Sequence, residues 1–397
     1  MKTKIFALAL ATGLFLNSCS SSDDPTPVKQ PVTGEITGPI TANTTYAYGN
    51  YTLKGIVKIN SGVTVTFDEG STITIDKATG DNALVVLKGA KLITNGTADK
   101  PVVFTEKSKL PGSWGGIIMY GDAPAKVAGG GTSSTSEDGN NIAYGGTNPT
   151  DNSGSLKYTR VEYAGSKLAD GQKENNGFTF YSVGSGTTLD HLVSYKGADD
   201  GYEFFGGTVS LTNSISYGNY DDAFDWQDGW QGQTNTNWYA YQTGKGNYGM
   251  EIEASANDNA YGPKVSNITL KRESTNVPET GDNQVDAFQF KREGNGEYSN
   301  IIIDGYGNFT TIDGTTTYKG SAVRIQDDAT NAHQVNTSKI KILNVKITNT
   351  TNINPIGATD AIVVAFPAGT FVQSTTATGA TLTAGAWATV DGVSLIK

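Results

Sequence analysis

The sequence predicts an all-β chain wound into a parallel β-helix, a solenoid with protruding loops, and three observations carry that prediction. Short β-branched runs alternate apolar and polar residues between clusters of Gly, Asn and Asp, as half-buried strands do. A short motif, small-aromatic-x-aromatic, recurs along the chain. Its best copies are separated by a period in the low twenties, the length of one solenoid coil.

The runs begin near Ile36. Gly55-Ile56-Val57-Lys58-Ile59, Val63-Thr64-Val65-Thr66-Phe67 and Ser71-Thr72-Ile73-Thr74-Ile75 follow one another with turns between them. On spacing alone they would also suit a β-sandwich. The repeat decides otherwise. Asn176-Gly177-Phe178-Thr179-Phe180, Asp200-Gly201-Tyr202-Glu203-Phe204 and Asp222-Ala223-Phe224-Asp225-Trp226 align, and Tyr202 and Phe224 are 22 residues apart. The match extends backwards, with Leu189 on Leu211, Val193 on Ile215 and Tyr195 on Tyr217. Weaker copies are Tyr248-Gly249-Met250-Glu251-Ile252, Asp286-Ala287-Phe288-Gln289-Phe290 and Ala322-Val323-Arg324-Ile325. A leucine-rich repeat has a similar period, but its Leu/Asn consensus is absent.

Coils stacked at ~4.8 Å place equivalent side chains in ladders. Phe178, Tyr202 and Phe224 form one predicted inward ladder, and Phe180, Phe204, Trp226 and Phe290 another. Trp114, Trp230 and Trp238 fall off these ladders and are expected at the surface. Insertions mark what stands off the cylinder: Ala128 to Thr150, Gln227 to Gly246, and Thr275 to Asn283. Loops of this kind wall a groove, which makes Trp230, Trp238 and Tyr239 candidate ligand contacts. The last 45 or so residues, about 350–397, are expected to form terminal rungs or a cap, because an open solenoid end exposes unpaired strand edges.

The N-terminus has the form of an export signal: Lys2 and Lys4, then an apolar stretch from Ile5 to Phe15 too short to span a bilayer. Leu16-Asn17-Ser18-Cys19 resembles the lipobox of bacterial lipoproteins. That resemblance implies removal of residues 1–18 and lipid attachment at Cys19, hence an outer-membrane anchor. Residues 19–35 read as a flexible tether. Its Ser20-Ser21-Ser22-Asp23-Asp24 start resembles the surface-export signal of Bacteroidetes lipoproteins, implying a body that faces the cell exterior. Residues 36–397 form the β-helix. Cys19 is the single cysteine, so the chain can form no internal disulfide; with only two histidines, His191 and His333, zinc and thiol chemistry are out. Acidic residues outnumber basic ones, 39 to 29, with no basic patch for nucleic acid.

A further resemblance concerns the body. Gly89-Ala90-Lys91-Leu92-Ile93-Thr94-Asn95-Gly96 through Pro101-Val102-Val103-Phe104-Thr105 is similar to a rung-and-turn signature of right-handed parallel β-helix proteins, and Gly112-Ser113-Trp114-Gly115-Gly116-Ile117-Ile118 to the rung that follows it. Leu156 to Gly165 and Asp199 to Gly207 resemble segments of exported Bacteroidetes β-helix proteins. The resemblance covers about residues 40 to 345 and implies a right-handed coil without implying an activity.

The residue between the two aromatics of each motif points outward. Down the rungs that position reads Thr179, Glu203, Asp225, Glu251, Gln289, Arg324. In the preceding turns Asp199 stacks near Asp221 and Asp200 near Asp222, with Asp228 close by. Two like charges ~5 Å apart repel by roughly 1 kcal/mol in water and roughly 3 at an effective dielectric of 20. Three compensations are open: a bound cation, for which Ca²⁺ suits oxygen ligands from Asp199, Asp200, Glu203, Asp221, Asp222, Asp225 and Glu251; a raised pKa; or a basic neighbour such as Lys291, Arg292 or Arg324. The same aspartates also serve as turn caps. Function divides accordingly. One reading is a non-catalytic surface lipoprotein that binds a glycan or another extracellular polymer, or serves an outer-membrane uptake complex. The other is a calcium-dependent polysaccharide lyase or glycoside hydrolase. In pectate-lyase-like enzymes acidic calcium ligands stand beside an Arg or Lys base, a role open to Glu203 and Asp225 with Arg292 or Arg324. The Gly-His-Gly segment of polygalacturonase-like hydrolases is absent.

Overall fold

The computed structural model describes residues 30–167, 175–258, 262–278 and 283–397. The expected signal, Cys19 and most of the tether lie outside these residues, as does part of the Thr275–Asn283 insertion. Pro31–Lys397 is one unit. The first strand, Val32–Thr37, begins inside the segment expected as tether and pairs in parallel with Gly49–Lys54.

Two long parallel sheets form the walls of a right-handed parallel β-helix, and the protein is nearly all-β. Among the described residues one sheet has fifteen strands and the other ten. The expected register holds rung by rung. Phe178 pairs with Tyr202 and Thr179 with Glu203; Glu203 pairs with Asp225 and Phe204 with Trp226. Leu189 lies on Leu211 and Tyr195 on Tyr217. Tyr202 stacks between Phe178 and Phe224 at 5.2 Å on each side. Such pairs contribute about 0.5–1.5 kcal/mol each beyond their buried area.

The larger sheet bends at one left-handed residue per rung. Tyr158, His191, Asn213, Asn237, Asn267, Asn300 and Asn344 occupy equivalent positions with φ between 47° and 56°. Asparagine tolerates that conformation better than most residues. Here it also links the rungs: Asn237 Nδ2 donates to Asn213 Oδ1 at 2.9 Å, and Asn300 Nδ2 to Asn267 Oδ1 at 2.7 Å.

Two expectations about surface elements are overturned. Gln227 to Gly246 is not a protruding loop, because Asn235–Gln242 is a regular strand of the larger sheet. Trp114, Trp230 and Trp238 are fully buried, not exposed. Trp230 stacks on Phe204 and Trp238 on Phe224, each at 4.4 Å. Their indole N–H groups donate to the Val209 and Leu211 carbonyls, so the polar end of each ring is satisfied inside the coil.

Ala128 to Thr150 does stand off the cylinder. It carries a small hairpin of Ser134–Thr135 with Ala143–Tyr144. Tyr120 Oη donates to Asp138 and lies 2.9 Å from Ser136 Oγ, and Tyr144 Oη donates to Asp228, which fastens the loop onto the ten-stranded sheet.

The C-terminal segment is more than a cap. Phe371–Gln373 adds to the last long strand, Ile340–Thr348. The chain then turns back along the outside of the larger sheet. Ala380 N donates to Thr269 Oγ1, Thr381 N to Asn237 Oδ1, and Trp387 N to the Ala98 carbonyl. This strap lies over Val193, Ile215 and Tyr239, an apolar stripe on an outer face.

Candidate functional site: a buried carboxylate row beside a groove

The row predicted from the motif is present on the ten-stranded sheet, in the order Glu203, Asp225, Glu251, Gln289, Arg324. It is not a surface row. Glu203 and Asp225 are each only 7% exposed. Glu203 accepts from Asn176 Nδ2 at 2.5 Å and from Gln227 Nε2 at 3.2 Å. Glu251 is held by Lys291 Nζ at 2.6 Å. Asp225 Oδ1 is buried with no hydrogen-bond partner.

The aspartates of the preceding turns act partly as caps. Asp200 Oδ1 accepts from the Asp222 amide at 2.8 Å, and Asp222 Oδ1 from the Tyr248 amide at 2.7 Å. Asp221 accepts from Asn247 Nδ2. Asp200, Glu203 and Asp225 each offer a carboxylate oxygen, all within 4.8 Å of one another, and Asp199, Asp200 and Asp221 do the same. These buried clusters could hold a metal ion. An all-oxygen, carboxylate-rich donor set suits a hard divalent cation. Asp222 and Glu251, also expected as ligands, fall outside both sets, the first occupied as a cap and the second by Lys291.

The electrostatics agree with an uncompensated charge. Burial first, then neighbouring acids, pushes the carboxyls of Asp200, Glu203, Asp222 and Asp225 well above the ordinary carboxylate range. At Asp225 the chief neighbour is Glu251, with Lys291 pulling the other way. Burial disfavours the Lys291 ammonium, but Glu251 and Asp225 outweigh it and raise its pKa, so it stays charged.

Beside the row lies a groove of about 430 Å³, lined among others by Asp221, Asn247, Glu251, Gln289 and Lys291. A second recess of about 240 Å³ is lined by Glu137, Tyr144, Asp228, Ser255 and Arg292 under the Ala128–Thr150 loop.

The sequence matches the pectate-lyase-like β-helix domain family over residues 38–390. The chain belongs to this family. Its fold is typical of carbohydrate-active proteins. No curated protein and no solved structure matches the chain.

Within this pectate-lyase-like β-helix the two candidate bases fare differently. Arg324 is fully buried, locked to Asp286 at 2.6 Å and to Asp360 at 3.1 Å. A guanidinium sealed between two carboxylates holds the wall together and touches no ligand, so its candidacy as a catalytic base is withdrawn. Arg292 has a half-exposed side chain 3.5 Å from Glu253 and lines the second recess, not the groove beside Asp225. Trp230 and Trp238 lie inside the coil, and Tyr239 is buried beneath the strap with its hydroxyl on Lys397. None of the three presents a face to a ligand. His191 stacks on Tyr158 at 4.2 Å at the bend of the larger sheet. Asn176 and Gln227, the partners of Glu203, were not singled out from the sequence: Asn176 stands where the aligned copies have Asp200 and Asp222, Gln227 directly follows Trp226, and only the stacking of the rungs brings both amides to Glu203.

Proposed function

We propose that this chain is a non-catalytic cell-surface lipoprotein that binds an extracellular polymer of the glycan class. The polymer lies along the groove beside the carboxylate row, and Asp200, Glu203 and Asp225 hold Ca²⁺ there. The observation that carries this reading is the state of the basic side chains. Lys291 is tied to Glu251, Arg292 stands by Glu253, and Arg324 is sealed from solvent. A lyase needs a basic side chain free to take a proton at the metal site. The groove lining, rich in amides and carboxylates, suits hydrogen bonding to sugar hydroxyls instead. Ca²⁺ fits the oxygen-only donors, and the orphaned Asp225 Oδ1 is the ligand left over for it.

The test is retardation of the full chain in gels cast with a panel of polysaccharides, with calcium or with EDTA. Retardation that depends on calcium, without shortened or unsaturated products, is the expected result. Gln289→Ala and Asn247→Ala should weaken it. Appearance of products would favour the second reading, a calcium-dependent lyase or glycoside hydrolase. The half-exposed Arg292 beside Asp228 and Glu137 speaks for that alternative.

The anchor is part of the proposal. Lipid on Cys19 would hold the body at the outer membrane, facing outward, where it could deliver polymer to an uptake complex. Cys19→Ser should move the protein from the membrane fraction to the soluble fraction; continued membrane retention would count against lipid anchoring.

A further inference from the structure

Buried cations in this protein usually meet an acid. Arg324 has Asp286 and Asp360, and Arg160 has Glu162. Arg272 departs from that pattern. It ends the strand Lys264–Arg272 and is 4% exposed. Its Nη2 donates to the Asn276 carbonyl, but Nε and Nη1 are buried without a partner. Asn276 is itself fully buried, and its amide Nδ2 and Oδ1 are also without partners. Gly246 passes over this point without a side chain. A Cβ there would lie 2.9 Å from Gln242 Nε2 and 3.3 Å from Asn276 Nδ2.

We propose that Arg272 and Asn276 form an internal site for a small monovalent anion of the halide class, held by Arg272 Nε and Nη1 and by Asn276 Nδ2. A buried guanidinium with two of its three nitrogens unpartnered and no carboxylate paired to it is held in the fold at a cost. A water molecule would satisfy donors but cancel no charge; a halide does both and accepts from several donors at once. Asn276 Oδ1 is an acceptor, so the anion takes the Nδ2 side of that amide. Burial pushes the Arg272 guanidinium down to about 10, with only partial relief from Tyr306 and Asp286, as expected for a charge awaiting its partner. The site is separate from the carboxylate row, and its test does not depend on any ligand of the groove.

The full chain is melted in sodium gluconate, with chloride or bromide replacing gluconate at constant ionic strength. Halide should raise the melting temperature by about 2 °C once it exceeds its dissociation constant tenfold. Arg272→Met should remove the halide dependence. Crystals grown in sodium bromide should show an anomalous peak beside Arg272 Nε and Asn276 Nδ2. Because Arg272→Met could fail to fold, the wild-type titration and the bromide peak decide together. A melting temperature indifferent to halide overturns the proposal. That holds with no bromide peak, and also with one, since the peak then marks an adventitious ion only.

Discussion

Asp225→Asn is expected to abolish the stabilisation of the protein by calcium and, without calcium, to leave it more stable than the wild type. The wild-type carboxylate is buried, its Oδ1 has no partner, and it lies next to Glu251 and within the Asp200–Glu203 cluster. A cation at 100 times its dissociation constant stabilises by about 2.7 kcal/mol, or roughly 3–4 °C in melting temperature. Asparagine keeps the shape but removes the charge that binds the cation, and with it the repulsion that burdens the metal-free state. The pH dependence follows with a definite sign. Asp200, Glu203, Asp222 and Asp225 have folded-state pKa values above their unfolded ones. The folded state therefore holds extra protons above about pH 4, where the unfolded carboxyls titrate. Stability of the metal-free protein must fall as pH rises through that window. Calcium displaces those protons, so its stabilising effect grows with pH. Melting curves from pH 5 to 8 with EDTA and with calcium check both statements. A calcium response retained in Asp225→Asn, or a metal-free melting temperature that rises with pH, would remove the cation from this cluster.

The register of the ten-stranded sheet was legible because inward positions tolerate little else. Phe178, Tyr202 and Phe224 must stack on one another, and that requirement repeats in the sequence as a motif. The carboxylates ride on the same motif, so their order was legible too. Their burial was not. It depends on side chains such as Asn176, at the position aligned with Asp200 and Asp222, and Gln227, at the end of the strand Phe224–Gln227, whose residue types differ from rung to rung and so do not announce that they close over Glu203. Trp230 and Trp238 misled for a related reason. The aligned residues Tyr202 and Phe224 are 22 apart, but Ile215 pairs with Tyr239, 24 on. The added length is absorbed within the coil and in its interior, where both indoles fill space beside Phe204 and Phe224, and an apparent insertion became core. The groove's neutralising lysine, Lys291, was visible only as one basic neighbour among three, since sequence spacing does not say which of them reaches Glu251.

The strap was illegible for the opposite reason: its contacts are too far away in sequence. Arg160 Nη1 donates to the carbonyls of Ala386, Trp387 and Thr389, across 226 to 229 residues. Trp387 is 1% exposed against Tyr158 and His191, and the Lys397 amide donates to Tyr239 Oη at 2.9 Å. Trp387→Ala should therefore cost about 3–5 kcal/mol, as other buried Trp truncations do, lowering the melting temperature by roughly 4–6 °C. Removing residues 378–397 should do more than lower it. A solenoid is held mainly by contacts between neighbouring rungs, so its ends can melt separately. The strap joins Ala98, Arg160, Asn237 and Thr269, which lie on rungs that do not all touch. It also covers Val193, Ile215 and Tyr239, which would otherwise present an apolar stripe to water. Calorimetry of the truncated chain should show an early transition split from the main one, and the dye-binding signal of exposed apolar surface should rise at room temperature. A single transition within a degree or two of the wild type would mean that the rungs cooperate without the strap, and that the stripe beneath it is sealed some other way.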